Sequence, residues 1–232
     1  MKLAIFDIDG TLTDTNSVDD LCFTAALAEA HNITGISTNW SAYPHTTDSA
    51  ITLHIFQERF GRAPHAEELA AFKQSFVRLL EAEHKSASAQ FREIYGAADA
   101  LNRMRHEPVW AVAIATGCWQ ATAILKLKAA KIESDWIPAA YAEDGLSREE
   151  ILEAAVSKAL TQYEQRSFER IVSIGDGLWD VRAARRLEFP FLGVGRGEAE
   201  TRLRQAGASH VIKDFTDYSR LIECLDEAQV PL

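Results

Sequence analysis

Leu3-Ala4-Ile5-Phe6-Asp7-Ile8-Asp9-Gly10-Thr11 is the stretch on which the reading of this chain turns. Residues 3–6 form a continuous apolar run without polar alternation, the pattern of a strand buried on both faces, as in a parallel sheet. Asp7 and Asp9 follow at i and i+2, and alternate residues of a strand point to the same side. Both carboxylates therefore face one spot at the C-terminal edge of the sheet, where open α/β folds bind ligands. Gly10 allows the sharp turn that ends the strand. A lone pair of Asp residues is as often an ordinary acidic turn, so the argument depends on what recurs downstream.

Three more runs of the same kind follow, at 109–114, 171–174 and 191–194, with weaker ones near 136–141 and 210–212. Helical patterns lie between them at 118–130, 147–163, 178–187 and 198–205. The 118–130 segment carries Ala121, Ile124, Leu125 and Lys128 at helical spacing, and Ser147 with Glu150 makes a capping box. Strand–helix alternation of this kind predicts right-handed βαβ units and a doubly wound α/β sheet. Residues 14–91 break the rhythm. They carry no strand signal and three helical stretches: 17–31 capped by Ser17, 48–60 capped by Asp48, and 67–85. A helical domain inserted after the first strand is expected.

The tips of the later strands repeat the chemistry of the first. The run at 171–174 ends in Gly175-Asp176-Gly177-Leu178-Trp179-Asp180, which puts Asp176 at a strand tip and Asp180 one helical turn on. Carboxylates gathered in one place repel unless a cation joins them. An all-oxygen set of several acids suits Mg²⁺. Helix-dipole complementation explains Asp180 more easily than Asp176. The run at 109–114 leads to Thr116-Gly117 at a helix start, which is either an anion site or a plain N-cap.

Composition narrows the classes. Asp plus Glu number 34 against 24 Lys plus Arg, a net charge of -10, which disfavours nucleic acid and obliges an anionic substrate to be held by local cations. Cys22, Cys118 and Cys224 are far apart and predict no disulfide framework. The first residues lack a signal-peptide apolar region, and the longest apolar run falls short of the ~20 residues that span a bilayer. The expectation is a cytoplasmic protein that engages no membrane. No exposed apolar stripe assigns an oligomeric state.

The D-x-D-G-T motif, the strand-terminal Thr and the G-D-x-x-x-D motif together resemble the haloacid dehalogenase superfamily, within it the phosphoglycolate-phosphatase-like hydrolases, and the resemblance covers the whole chain. It implies a Rossmann-like catalytic core of residues 1–13 and 93–232 with a helical cap of residues 14–92. It implies Asp7 as the nucleophile and Asp9 as general acid and base, the second Asp being a feature of the family's phosphatases and phosphomutases. Mg²⁺ would be held by Asp7, the backbone carbonyl of Asp9 and Asp176, with Asp180 ligating it or orienting a water. Thr116 and Gly117 would bind phosphate oxygens. The family's motif lysine is absent, since no Lys lies between Lys131 and Lys158. Arg148, directly after the Ser147 cap, is assigned that cationic role, against the alternative of a surface ion pair with Glu. His45 and Thr46, in the polar connection before the second helix, are assigned to substrate selection. Trp119 and Trp179 either wall the leaving-group pocket or pack between helix and sheet, and Cys118 reads as a small packing residue. The expected activity is Mg²⁺-dependent hydrolysis of a small phosphorylated metabolite. A sugar-phosphate phosphomutase and a non-catalytic binding protein on the same scaffold are the alternatives.

Overall fold

All six apolar runs pair into one parallel sheet: β1 (Lys2–Phe6), β2 (Trp110–Ala115), β3 (Ala139–Ala140), β4 (Ile171–Gly175), β5 (Phe191–Val194) and β6 (His210–Ile212), in the order β3-β2-β1-β4-β5-β6. The structure, a computed structural model, describes residues 1–232. The order reverses at β1, which pairs with β2 on one side and β4 on the other, with Phe6 opposite both Ile114 and Ile174. That register brings the residues after β1, β2 and β4 to one edge, at the switch point where doubly wound sheets open a crevice.

Alternate residues of β1 serve two cores. Ala4 and Phe6 pack under α4 (Ala97–Arg105), α5 (Gln120–Ala129) and α9 (Tyr218–Glu227). Leu3 and Ile5 pack under α6 (Arg148–Gln162) and α7 (Leu178–Arg186). Both faces are thus covered by helices, as the absence of alternation requires. The helix α8 (Glu198–Gln205) seals the β5 end through Leu203. The sequence reading leaves out α4 and α9, although Ala97, Ala100, Leu101 and Met104 in one, and Leu221, Cys224 and Leu225 in the other, form buried stripes at helical spacing. Short amphipathic helices of this kind give a weak signal, and tertiary packing supplies most of their stability.

Between β1 and α4 lie three helices, α1 (Asn16–His31), α2 (Asp48–Phe60) and α3 (Ala66–Ser86). They enclose a separate aromatic core in which Phe23 meets Phe72 and Phe76 edge-on at 5.0 and 5.5 Å. The chain enters and leaves this insertion through adjacent crossings. Thr13 bridges Glu93, the Asp14 N–H donates to the Arg92 carbonyl, and the side chains of Asp14 and Arg92 form an ion pair at 2.5 Å. Two caps differ from expectation. Ser17 lies inside α1, whose N-cap is Thr15, a residue occupied elsewhere. Asp48 is the first residue of α2, and Thr47 is the cap, its hydroxyl accepting from the Ala50 N–H. In both places the expected capping residue stands one or two positions inside the helix, and in α2 the Asp side chain is used by the sheet edge instead. The Ser147–Glu150 capping box of α6 is present. No helix is long and apolar enough to cross a membrane, and the three cysteines are unpaired and buried.

Candidate active site

Asp7 extends the β1 ladder, its N–H donating to the Ile174 carbonyl, and its side chain is buried at the sheet edge. Asp176 follows the tip of β4, and Asp180 sits in the first turn of α7. One carboxylate oxygen from each of Asp7, Asp176 and Asp180 lies within 4.8 Å of the others. Gly10 makes this convergence possible. Its φ is +74°, and a Cβ there would stand 2.0 Å from Asp176 Oδ2. Asp180 Oδ2 accepts from the Gly177 N–H at 3.0 Å.

Arg148 reaches the same point from the start of α6. Its Nη1 donates to Asp7 Oδ1 at 3.1 Å and stands 3.7 Å from Asp180 Oδ1. One guanidinium does not balance three carboxylates. Burial and the facing Asp7 push the Asp180 carboxyl up to about 7 in spite of Arg148. Asp176, raised well above the usual carboxylate range by burial and then by Asp180 and Asp7, has only the Asn16 side-chain amide as a partner, on Oδ2 at 3.0 Å. Its Oδ1 is buried with no hydrogen-bond partner at all. A buried, unpartnered oxygen beside two more carboxylates fits a small divalent cation with hard oxygen ligands, and Mg²⁺ suits that donor set.

Asp9 is held apart from this trio. Its Oδ1 accepts from the Thr15 hydroxyl at 2.5 Å, and its Oδ2 accepts from Lys126 Nζ at 2.5 Å and from the Cys118 thiol at 2.9 Å. Burial alone would raise this carboxyl, but the Lys126 charge and the bonds from Cys118, Lys126 and Thr15 outweigh it and hold Asp9 below its ordinary value. Lys126 is fully buried on α5. It also donates to Asp19 Oδ1 of α1 at 2.6 Å. Burial, partly offset by Lys126, raises Asp19 to about 8.

A cavity of about 520 Å³ opens above these groups between the sheet edge and the helical insertion. Asp9, Asp176, Gly117 and Arg148 face it from below, Asp19, Trp40, Thr46 and Asp48 from above, and Trp179 from the side. At the start of α2 the insertion is drawn down onto the edge. The Asp48 N–H donates to the Gly117 carbonyl at 2.7 Å, Asp48 Oδ2 accepts from the Trp119 N–H at 2.8 Å, and the Thr47 and Ser49 hydroxyls donate to the carbonyls of Leu146 and Ala142. Gly117 permits this approach, because a Cβ there would meet the Thr46 carbonyl at 2.6 Å.

The structure therefore brings together Asp7, Asp9, Gly117, Arg148, Asp176 and Asp180. Thr46 lines the cavity, whereas His45 is exposed and outside its lining. Thr116 is buried next to the site, its hydroxyl accepting from the Cys118 N–H at 3.2 Å. Trp179 borders the cavity, while Trp119 is buried among the aromatic rings of the insertion. The roles of three groups escaped the sequence reading. Cys118 is a thiol donor to Asp9 as well as a packing residue. Lys126 enters the sequence reading only as a substitute phosphate cation should Arg148 not serve, and neither its pairing with Asp9 nor Asp19 is anticipated, because periodicity places charges on the solvent face. The buried face of α5 is in fact Thr122, Ala123, Lys126 and Leu127, and the exposed one includes Ala121 and Lys128. A Lys ten residues after the strand-terminal Thr, in line with Ala123 and Leu127, was the available signal.

Comparison with known proteins agrees with this fold. A hydrolase from Pseudomonas syringae superposes with a TM-score of 0.73 at 24% identity, covering 99% of this chain and 100% of that one. The protein CbbY from Rhodobacter sphaeroides, solved with phosphate, gives 0.66 at 18% identity over 94% and 96%. A predicted phosphoglycolate phosphatase from Haemophilus somnus gives 0.56 at 15% identity over 96% and 98%. These likenesses speak for the fold. No curated protein matches the sequence. The model of the haloacid dehalogenase-like hydrolases matches residues 1–188, and with its acid-bearing strand tips in place the chain belongs to that family.

Proposed function

We propose that this protein is a Mg²⁺-dependent phosphatase that hydrolyses a small phosphomonoester metabolite through an aspartyl phosphate on Asp7. The observation that carries the reading is the meeting of Asp7, Arg148 and the under-neutralised pair Asp176–Asp180 beside a cavity whose lining includes Arg148, Asp176 and Asp9. Mg²⁺, held by Asp7, the Asp9 carbonyl, Asp176 and Asp180, would neutralise charge between the carboxylate and the incoming phosphate. Arg148 supplies a second cation with a planar fork for phosphate oxygens. Thr116 and Gly117 would bind the remaining oxygens. Asp7 attacks phosphorus; Asp9, which Lys126 holds ionised before substrate binds, takes a proton from the monoanionic ester, passes it to the departing alcohol, and later takes one from the water that hydrolyses the aspartyl phosphate. Residues 14–92 form the cap in this reading, hinging on the paired crossings at Thr13–Glu93 and Asp14–Arg92 to admit substrate and then exclude water. Turnover of phosphomonoesters by the purified chain, with and without EDTA, tests the proposal directly. Full activity in EDTA would sink it.

Metal binding has a signature independent of catalysis. A ligand that binds only the native state at ~100 times its dissociation constant stabilises by ~2.7 kcal/mol. For a chain of this size that corresponds to a melting shift of roughly 5–10 °C. Asp176→Ala should remove most of the shift. In the absence of metal, native Asp176 and Asp180 hold protons that the unfolded chain releases near its ordinary carboxylate value. Their raised values therefore cost stability as pH rises above the ordinary carboxylate range, for Asp180 up to about 7. The Mg²⁺-induced shift should accordingly be larger at pH 7.5 than at pH 5. An equal shift in Asp176→Ala would place the metal elsewhere.

The upper wall of the cavity is where selectivity is expected. Thr46→Ala removes a hydroxyl from that wall, and losing one hydrogen bond of ~0.5–1.5 kcal/mol changes KM by about 3- to 10-fold. The loss should fall on metabolite esters and spare p-nitrophenyl phosphate. His45→Ala, outside the cavity lining, should leave both unchanged. Equal losses on all esters in Thr46→Ala would assign this loop to folding or closure instead.

A further inference from the structure

We propose that Lys126 is a positioning residue for Asp9, fixing the orientation of that carboxylate by a network anchored in the helical insertion. The proposal rests on the phosphatase reading and adds to it a residue outside the motifs. Lys126 has three donor hydrogens and three partners: Asp9 Oδ2 at 2.5 Å, Asp19 Oδ1 at 2.6 Å and Cys118 Sγ at 3.0 Å. It is fully buried, so none of its hydrogens is satisfied by water, and its charge is directed at Asp9 and Asp19. The Cys118 thiol donates to Asp9 while accepting from Lys126, and Thr15 closes the other oxygen of Asp9. Of the three groups that donate to the Asp9 carboxylate, Lys126 and Cys118 touch one another on Oδ2, and Thr15 holds Oδ1.

Burying an ammonium is unfavourable, and a well-packed apolar side chain of similar volume often stabilises a core as well or better. A lysine at this place is therefore poorly explained by packing alone. It is explained by the need to hold the Asp9 carboxylate, both oxygens of which are engaged, in one orientation at the cavity wall. Asp19 extends the grip to α1, so that Asp9 is held by a charge that itself bridges the sheet edge and the insertion.

A residue that acts through a general acid should matter only where the leaving group needs a proton. An alkoxide needs one, whereas p-nitrophenolate departs without it. The measured quantity is kcat/KM, which reports the steps up to alcohol departure. In Lys126→Met it should fall ~10²-fold or more for an alkyl monoester that the unsubstituted chain turns over, within the ~10²–10⁴-fold range of general acid–base effects. For p-nitrophenyl phosphate it should change by less than about 5-fold. In the Asp9→Asn background the same substitution should cost little, because the two residues act as one unit. If Lys126→Met does not fold, Lys126→Met/Asp19→Asn, which removes both facing charges, is measured in its place with the same expectation. Equal losses on both esters, or losses that add in the Asp9→Asn background, would overturn the assignment of Lys126. Failure of the unsubstituted chain to hydrolyse either ester would instead overturn the phosphatase reading, and this proposal with it.

Discussion

Asp7→Asn should abolish phosphatase turnover, with a loss of roughly 10⁴–10⁶-fold, the scale seen when a covalent nucleophile is removed. An amide oxygen neither attacks phosphorus at a useful rate nor forms the aspartyl phosphate. The fold should survive, because Asn keeps the shape of Asp7 and its backbone N–H stays in the ladder to Ile174. Arg148 would still face Asp180 at 3.7 Å. Brief incubation with substrate, acid quenching and intact-mass measurement should find an added phosphoryl group on the wild-type chain and none on the variant. Asp9→Asn should behave differently. It preserves the backbone carbonyl offered to the metal and slows both proton transfers, a loss of ~10²–10⁴-fold. Retention of activity in Asp7→Asn would remove the basis of the whole reading.

Arg148→Ala is expected to lower kcat/KM by ~10²–10³-fold, the effect of losing one preorganised charged donor at about 2.7–4 kcal/mol. The phosphate and Asp7 bring negative charge together, and Arg148 meets Asp7 at 3.1 Å from the α6 side. Its guanidinium is held firmly charged, since Asp7 and Asp180 more than offset the burial that would lower it. Arg148→Lys should restore part of the rate, because the charge returns without the fork. Mg²⁺ affinity should be unchanged or higher in Arg148→Ala, since a cation leaves the neighbourhood of the acids. Near-normal kinetics in Arg148→Ala would mean that another group neutralises the phosphate. Lys158, the next basic residue along α6, is engaged with Asp144 and the Ala139 carbonyl and is not placed to do so.

The parts of the site that could be read from the sequence are those tied to strand tips. Asp7, Asp9 and Asp176 follow unbroken apolar runs, and the parallel register that such runs imply carries their positions with it. Arg148 was legible for a related reason, since the capping box at Ser147 and Glu150 fixed where α6 begins. The failures share a cause as well. Periodicity sorts residues by polarity, so a buried charge is read as exposed whenever its partners lie far away in sequence. Lys126 finds Asp9 and Asp19 across separations of 117 and 107 residues, which no local pattern records. His45 stands outside the cavity lining for another reason: it lies two residues from the close contact between Thr47 and Leu146, and a loop without periodicity does not say which neighbours turn inward.

Trp119 ties the two halves of the molecule together. It follows the Thr116-Gly117 motif directly and belongs by sequence to the sheet, yet its ring lies in the aromatic core of the insertion, edge-on to Phe72 at 5.3 Å and stacked on Phe23 at 6.4 Å. Its indole N–H donates to the Ser49 hydroxyl at 2.9 Å, and Lys73 of α3 covers its face. The helical unit is consequently no interchangeable attachment. A foreign insertion grafted between residues 13 and 93 would arrive with its own core filled and would leave a large aromatic ring in water beside the catalytic edge. Removing the insertion would do the same. Any recombination that retains this sheet must either bring a socket for Trp119 or replace it, which couples selection on the two halves through one side chain.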